Sequence, residues 1–225
     1  MQATPPATDD TPAQALRTPR AAGVAGILFA LLLALALALV RIAIPTHPGG
    51  AGAWLATTSH RSLLRTALAL VPFAGVFFLW FMGAVRDHVG HPHDRFFDTL
   101  FLGSGLVLLA MLFVLTAAVD GLIEVASGPT SGQLQEWVFG RHLSFVLLSG
   151  YLARMAAVFT LSTTTIGHQL GVFPRRLTWF GYLVGLAMLF VVSILPWSEL
   201  LFPAWALAVS CHVLRADLRT PRPAR

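Results

Sequence analysis

One arginine inside a long apolar stretch is the residue of this chain best placed for chemistry. Arg154 stands 13 residues after Arg141 and 14 before His168, in a run over 143–167 that holds no other charge. At about 1.5 Å of rise per helical residue it would lie roughly 20 Å from each of them, near the middle of a bilayer. A charge at that depth is costly, so it normally faces a bundle interior or water and finds a partner. The position predicts either a substrate or proton path or a structural ion pair.

The residues that share a helical face with Arg154 are mostly small or polar. Taking about 100° per residue, this face holds Gly150, Leu161, Thr165 and His168, with Tyr151 and Ala157 beside them. Such a face is expected to point into the bundle. The candidate partners are Asp120 and, second, Glu124, at the outer end of the third helix. The candidate intramembrane polar site is therefore Arg154, Asp120, Glu124, Thr165 and Tyr151, and a structural ion pair is the favoured interpretation.

Histidines gather on the side of the membrane that we expect to be cytoplasmic. They are His88, His91 and His93 in one loop, His168 at the end of the fourth helix and His212 near the end of the sixth. Imidazoles bind metals, but this spacing matches no standard zinc motif, and haem ligation would need histidines within opposing spans. We predict a solvated loop, with no metal site and no cofactor.

Two further patterns could suggest catalysis. The tripeptide Gly103-Ser104-Gly105 invites comparison with rhomboid proteases, which also have six spans, but their motif places a glycine two residues before a serine on the fourth span. Here that position is Leu102, and the span is the third. The hydroxyl run over 162–165 (STTT) is expected to bond back to the preceding helical turn. We expect no enzymatic activity.

The elements that must position these residues are membrane helices. Of 225 residues, 56% are hydrophobic and 11% charged, and the mean hydropathy is +0.73; soluble domains carry about 25% charged residues. Four runs are long enough to cross a hydrocarbon core of about 30 Å without help. The sequence predicts an all-α bundle of six transmembrane helices over about 21–44, 63–85, 98–120, 142–168, 177–195 and 198–215. Disordered tails over 1–20 and 216–225 flank it, and 134–139 (LQEWVF) is expected to form a short interfacial helix.

The distribution of arginine predicts the orientation of these spans. All fifteen basic residues are arginine, and ten of them fall on one side: Arg17, Arg20, Arg86, Arg95, Arg175, Arg176, Arg215, Arg219, Arg222 and Arg225. Four fall on the other side: Arg41, Arg61, Arg65 and Arg141. Because basic residues stay cytoplasmic, both termini should be cytoplasmic. We expect a multi-pass protein of the plasma membrane, in contact with the lipid bilayer.

Composition also limits the possible partners. The net charge of +5 does not indicate nucleic acid, because the arginines lie mainly at helix ends, facing lipid headgroups. Cys211 is the only cysteine, which excludes an intramolecular disulfide and a thiolate metal cluster. Small residues at helical spacing let a neighbouring helix approach closely, inside the bundle, in a membrane-protein partner or in a homo-oligomer: Gly181 and Gly185, Ser149, Ala153 and Ala157, and Ala30, Ala34 and Ala38.

Several stretches resemble a family of actinobacterial multi-pass membrane proteins known only as a domain of unknown function. They are 77–87 (FFLWFMGAVRD), 94–106 (DRFFDTLFLGSGL), 154–165 (RMAAVFTLSTTT), 173–182 (FPRRLTWFGY) and 201–210 (LFPAWALAVS). The likeness covers roughly 60–215. The resemblance implies a plasma-membrane location and carries over no activity and no catalytic residues.

The sequence thus predicts an integral plasma-membrane protein of unassigned molecular function. Two sharper alternatives stay open. A small-solute or proton transporter or channel would use Arg154 to line its path. A structural or assembly subunit of a membrane complex would use its small-residue helix faces and outer loops to hold a partner.

Overall fold

The computed structural model describes residues 19–43, 58–89, 95–127, 133–190 and 197–219. Within these ranges the chain is almost entirely helical and forms no strand. The described residues form seven α-helices: α1 (Pro19–Ala43), α2 (Thr58–Val89), α3 (Arg95–Ser127), α4 (Gln133–Phe145), α5 (Ala153–Gln169), α6 (Arg175–Phe190) and α7 (Leu201–Arg219). A π-helical segment, Val146–Leu152, joins α4 to α5 without a break, and a short 3₁₀ helix, Ser198–Leu200, leads into α7.

The helices form a ring in chain order. α1 packs between α2 and α7, α3 lies between α2 and the long helix made by α4 and α5, and α6 contacts α5 and α7. Short connections favour antiparallel neighbours of this kind. The ring lets each helix bury one face and leave the other outside.

Contacts between residues far apart in sequence define two ends of the ring. At one end, called the Arg41 end, Arg41 pairs with Glu199. At the other, called the His212 end, His212 Nε2 lies 3.1 Å from the carbonyl oxygen of Val172. Gly23 faces Leu214 there, so the start of α1 and the end of α7 lie at the same end of the bundle.

Aromatic rings fill the centre of the bundle. Phe159 on α5 is fully buried, and its ring centroid lies 5.1–6.2 Å from four others, those of Phe78, Phe101, Phe202 and Trp205. Phe29 on α1 adds a fifth helix to the cluster, 4.8 Å from Phe78 and 5.9 Å from Phe202. Tilted and edge-to-face pairs at these separations are favourable beyond the burial of their area. This cluster is called the aromatic plug.

The exterior of the ring is apolar. Large hydrophobic side chains are exposed on every helix except α5 and α7, among them Leu31, Phe73, Trp80, Phe113, Phe139, Leu183 and Phe190. In the part of the chain that the structure describes, five helices are long and apolar enough to cross a membrane: Gly23–Ala43, Ser59–Arg86, Asp98–Val125, Gln135–Gln169 and Ser198–Ala216. A soluble protein rarely exposes so much apolar surface. The chain is therefore an all-helical membrane protein.

Several predicted boundaries differ from those observed. α2 begins at Thr58 and α3 ends at Ser127, so both extend beyond the predicted spans. α7 continues to Arg219, four residues into the predicted tail. The prediction of a separate interfacial helix over 134–139 is wrong. Trp137 is only 2% exposed and packs α4 against the bundle, and α4 belongs to one long helix, Gln135–Gln169. Of the predicted fifth span, 191–195 lies outside the described residues, as do 1–18 and 220–225 of the predicted tails.

Candidate functional site

Arg154 lies on the outer surface of the bundle. Its side chain is exposed, and its Nη1 donates a hydrogen bond of 2.6 Å to the carbonyl oxygen of Gly150. Tyr151 is also exposed, at 59%. The prediction that this face points inward is thus wrong for both residues. Thr165, further along the same stripe, is half-buried, with its hydroxyl 3.2 Å from that of Tyr182 on α6. The stripe is covered by α6 only in its middle, where Leu161 packs against Gly185 and Thr165 lies beside Tyr182, whereas His168 is exposed.

The predicted pair between Arg154 and Asp120 does not form. Asp120 and Glu124 are both exposed on α3. Leu112 lines one small cavity together with Ala153 and Ala156, which places it at the level of Arg154. Asp120 stands eight residues further along α3, or about 12 Å, too far for a side-chain contact. Within the described part of the chain, no carboxylate forms an ion pair with Arg154.

One ion pair within the bundle went unpredicted. Arg41 Nη1 lies 3.9 Å from Glu199 Oε1, and the two side chains are 26% and 12% exposed. The residues are far apart in the sequence and meet because α7 returns to α1. In the sequence, only their opposite charges at the outer ends of the first and last predicted spans pointed to this pairing.

This ion pair lies in the wall of a cavity between α1, α3 and α4. The cavity has a volume of about 450 Å³ and opens at the Arg41 end. Its apolar wall consists of Leu37, Val40, Leu115, Val119, Val138, Phe145, Leu148, Trp197 and Leu200. Its polar groups are Arg41, Arg141, His142, Ser144 and Glu199. Arg154 is not among the lining residues.

A second, narrow cavity of about 30 Å³ lies beside the first one. The two share Leu37, Leu148 and Glu199 in their walls, and Phe29 and Phe78 of the aromatic plug also line the narrow cavity. Apart from Glu199, the lining of the narrow cavity is apolar.

One wall residue of the larger cavity has a strained backbone. Trp197, which is 47% exposed, has φ of 68° and ψ of 7°. The left-handed region costs a residue with a bulky side chain on the order of 1–2 kcal/mol. Such strain is often found at functional sites, and here it sets the indole at the mouth of the cavity.

The hydroxyl run behaves largely as predicted. Ser162 and Thr163 bond back to the carbonyl oxygen of Phe159, and Thr165 bonds to that of Leu161. Thr164 is different: its Oγ1 is fully buried and has no partner among the described residues. The same holds for Thr160 Oγ1 and Trp205 Nε1.

The small-residue faces are used within the bundle. Gly181 packs against Thr164 and Trp205, and Gly185 packs against Leu161. Ser149, Ala153 and Ala157 are buried. These faces therefore hold α5, α6 and α7 together.

The histidines form no cluster in the part of the chain that the structure describes, where no three potential ligands come together. His168 is exposed, His212 contacts the turn at Val172, and His91 and His93 lie outside the described residues. Comparisons of the chain with models of protein families, with curated proteins and with solved structures found no match.

Proposed function

We propose that the chain is a six-span protein of the plasma membrane with both ends in the cytoplasm. Three observations support this. The start of α1 and the end of α7 lie together at the His212 end. The chain passes from that end at Val172 to the Arg41 end at Glu199, so α6 accounts for the sixth crossing. The arginines are ten to four in favour of the same end. The resemblance to the uncharacterised actinobacterial family agrees with this location.

At the molecular level, the chain is a binding protein for a small amphiphile with an anionic head, taken up from the outer face. The observation that carries this proposal is the cavity at the Arg41 end, where an apolar wall meets Arg41, Arg141, His142 and Glu199. Its volume of about 450 Å³ falls in the range of small-molecule sites, which are mostly apolar with a few convergent polar groups. Two arginines against one glutamate leave a net positive charge at the mouth, which favours an anionic head. The narrow apolar cavity beside the larger one would accept the end of an alkyl chain.

Binding explains the pocket better than transport does. An open channel needs a continuous path through the bundle, whereas the narrow cavity is lined by Phe29 and Phe78 of the aromatic plug. Arg154, which would have lined such a path, is absent from the lining residues. The residue on which the transport alternative was based therefore does not line either cavity.

The proposal is tested by binding of dodecyl phosphate, with dodecyl maltoside as the neutral comparison. The protein in neutral lipid vesicles should be stabilised against heat by the phosphate, because a ligand that binds only the folded state raises its stability. Val138→Trp, which fills the cavity, should abolish this shift. Leu143→Trp, on the same helix but outside the lining, should leave it intact. Equal shifts in both variants, or with both amphiphiles, would contradict the proposal.

An assembly subunit is the second candidate function. The observation that favours it is the exposed Arg154, since charged residues in a membrane helix normally face a partner.

A further inference from the structure

We propose that the surface around Arg154 binds a transmembrane helix of another protein, one that carries an aspartate or glutamate near the middle of the membrane. This inference develops the second candidate function and does not depend on a ligand in the cavity. The surface, called the Arg154 face, consists of Tyr151, Arg154, Met155 and Val158, which are exposed or half-exposed on one side of the helix.

The depth of Arg154 excludes an ordinary interfacial role. Ala153 and Ala156, on either side of it, line a cavity with Leu33 of α1. Leu33 is the midpoint of the span Gly23–Ala43. Arg154 is itself two residues from the midpoint of the span Gln135–Gln169, so it projects near the middle of a hydrocarbon core that is about 30 Å thick.

The interaction that Arg154 makes in the structure does not neutralise its charge. The Gly150 carbonyl oxygen accepts one of the five guanidinium N–H groups. A carboxylate would accept two in parallel and cancel the charge. The surrounding face is apolar apart from Tyr151, which adds a hydroxyl. Charge complementarity thus assigns an acidic partner to this face.

The carboxylate cannot come from this chain or from a second copy of it. All ten acidic residues lie in the tails, in loops or toward helix ends, and 191–196 (VVSILP) contains none. A second copy inserted in the same orientation would present Asp120 about 12 Å, and Glu124 about 18 Å, nearer the Arg41 end than Arg154. The partner is therefore a different chain.

The backbone beside Arg154 is also unusual. The Ala153 N–H bonds to Leu148 O, five residues back, which is the π-helical pattern. π-Helical turns inside α-helices are frequent at functional sites. Here the π segment ends two residues before Arg154, and it contains Gly150 and Tyr151.

The test measures energy transfer between the labelled protein and synthetic single-span peptides in neutral phosphatidylcholine vesicles. The peptides are alike except for one central residue: Asp, Asn or Leu. The wild-type protein should associate with the Asp peptide about tenfold more tightly than with the Leu peptide, since polar contacts between model membrane helices contribute about 1–2 kcal/mol. Arg154→Leu and Arg154→Gln should remove this preference. Arg176→Leu, which removes an exposed arginine at the His212 end, should retain it.

A charge exchange completes the experiment. The Arg154→Asp variant should no longer prefer the Asp peptide and should instead associate with a peptide that carries a central Arg. If the wild-type protein does not distinguish Asp from Leu, or if both Arg154 variants still do so, the inference is wrong. Should the variants fail to fold, the wild-type preference among the three peptides alone decides. Dodecyl phosphate binding is unaffected by Arg154→Leu if both proposals hold, so the two can fail separately.

Discussion

Arg41 on α1 and Glu199 before α7 form an ion pair that joins the first and last helices of the ring, with Nη1 and Oε1 3.9 Å apart. Both side chains are largely buried in the wall of the cavity at the Arg41 end. The pair therefore closes the ring at the level where a ligand would enter.

Reversing the charge of one member of this pair should lower stability more than exchanging the two charges does. Arg41→Glu leaves two carboxylates together, and Glu199→Arg leaves two cations, whereas the double variant restores opposite charges. We expect a coupling energy of about 1 kcal/mol between the two positions, read from thermal unfolding in lipid nanodiscs. Strict additivity of the two single changes would show that the pair does not contribute to stability.

Phe159 should be the most sensitive ring of the aromatic plug. Phe159→Ala would leave a cavity between four rings. Lipid is as apolar as the core, so the cavity term dominates over transfer from water. We expect a loss of about 2–3 kcal/mol, below the 3–5 kcal/mol that is typical of buried Phe→Ala in soluble proteins. Phe190→Ala, at a ring that is 71% exposed, is the control and should cost far less.

Gly181 should not tolerate a methyl group. A Cβ there would overlap the Thr164 side chain and lie 3.0 Å from Trp205 Nε1, so Gly181→Ala should force α6 away from α5 and α7. Overpacking of this kind costs about 1–3 kcal/mol. Gly121→Ala meets open space and should instead stabilise α3 by roughly 0.5–1 kcal/mol. Equal unfolding temperatures for the two variants would contradict the close packing.

The buried hydroxyl of Thr164 should be dispensable. Valine has nearly the same shape and removes an oxygen that has no hydrogen-bond partner among the described residues. We expect Thr164→Val to be neutral or to stabilise the protein by up to about 1 kcal/mol. Thr163→Val is the comparison, because it loses a bond of 2.7 Å to the Phe159 carbonyl oxygen and should not stabilise. A clear loss of stability in Thr164→Val would indicate a bound water or other partner at this hydroxyl.

Orientation can be read from reporter fusions. Fusions after Arg95, after Arg176 and at the C-terminus should report the cytoplasm, because the arginine-rich side stays inside. A fusion within 128–135 should report the exterior. An exterior C-terminus would mean an odd number of crossings and would contradict the proposed six-span topology.

The sequence by itself determined that this is an all-helical membrane protein. Apolar runs of about 20 residues and few charges are local properties, and in lipid a helix is the simplest way to satisfy every backbone group. The back-bonding of Ser162 and Thr163 is local as well, since each hydroxyl reaches only its own preceding turn.

The tertiary structure decided which face of each helix is inside. Counting at 100° per residue cannot tell a face turned to a neighbour from a face turned to lipid, since both are apolar. The charge of Arg154 and the small or polar residues on its face predicted an inward orientation, but the structure turns Arg154 and Tyr151 outward. The pair between Arg41 and Glu199 and the aromatic plug likewise depend on how the helices meet, because each joins residues that are far apart in the sequence. The candidate site therefore lies at the Arg41 end of the bundle and not around Arg154, where the sequence predicted it.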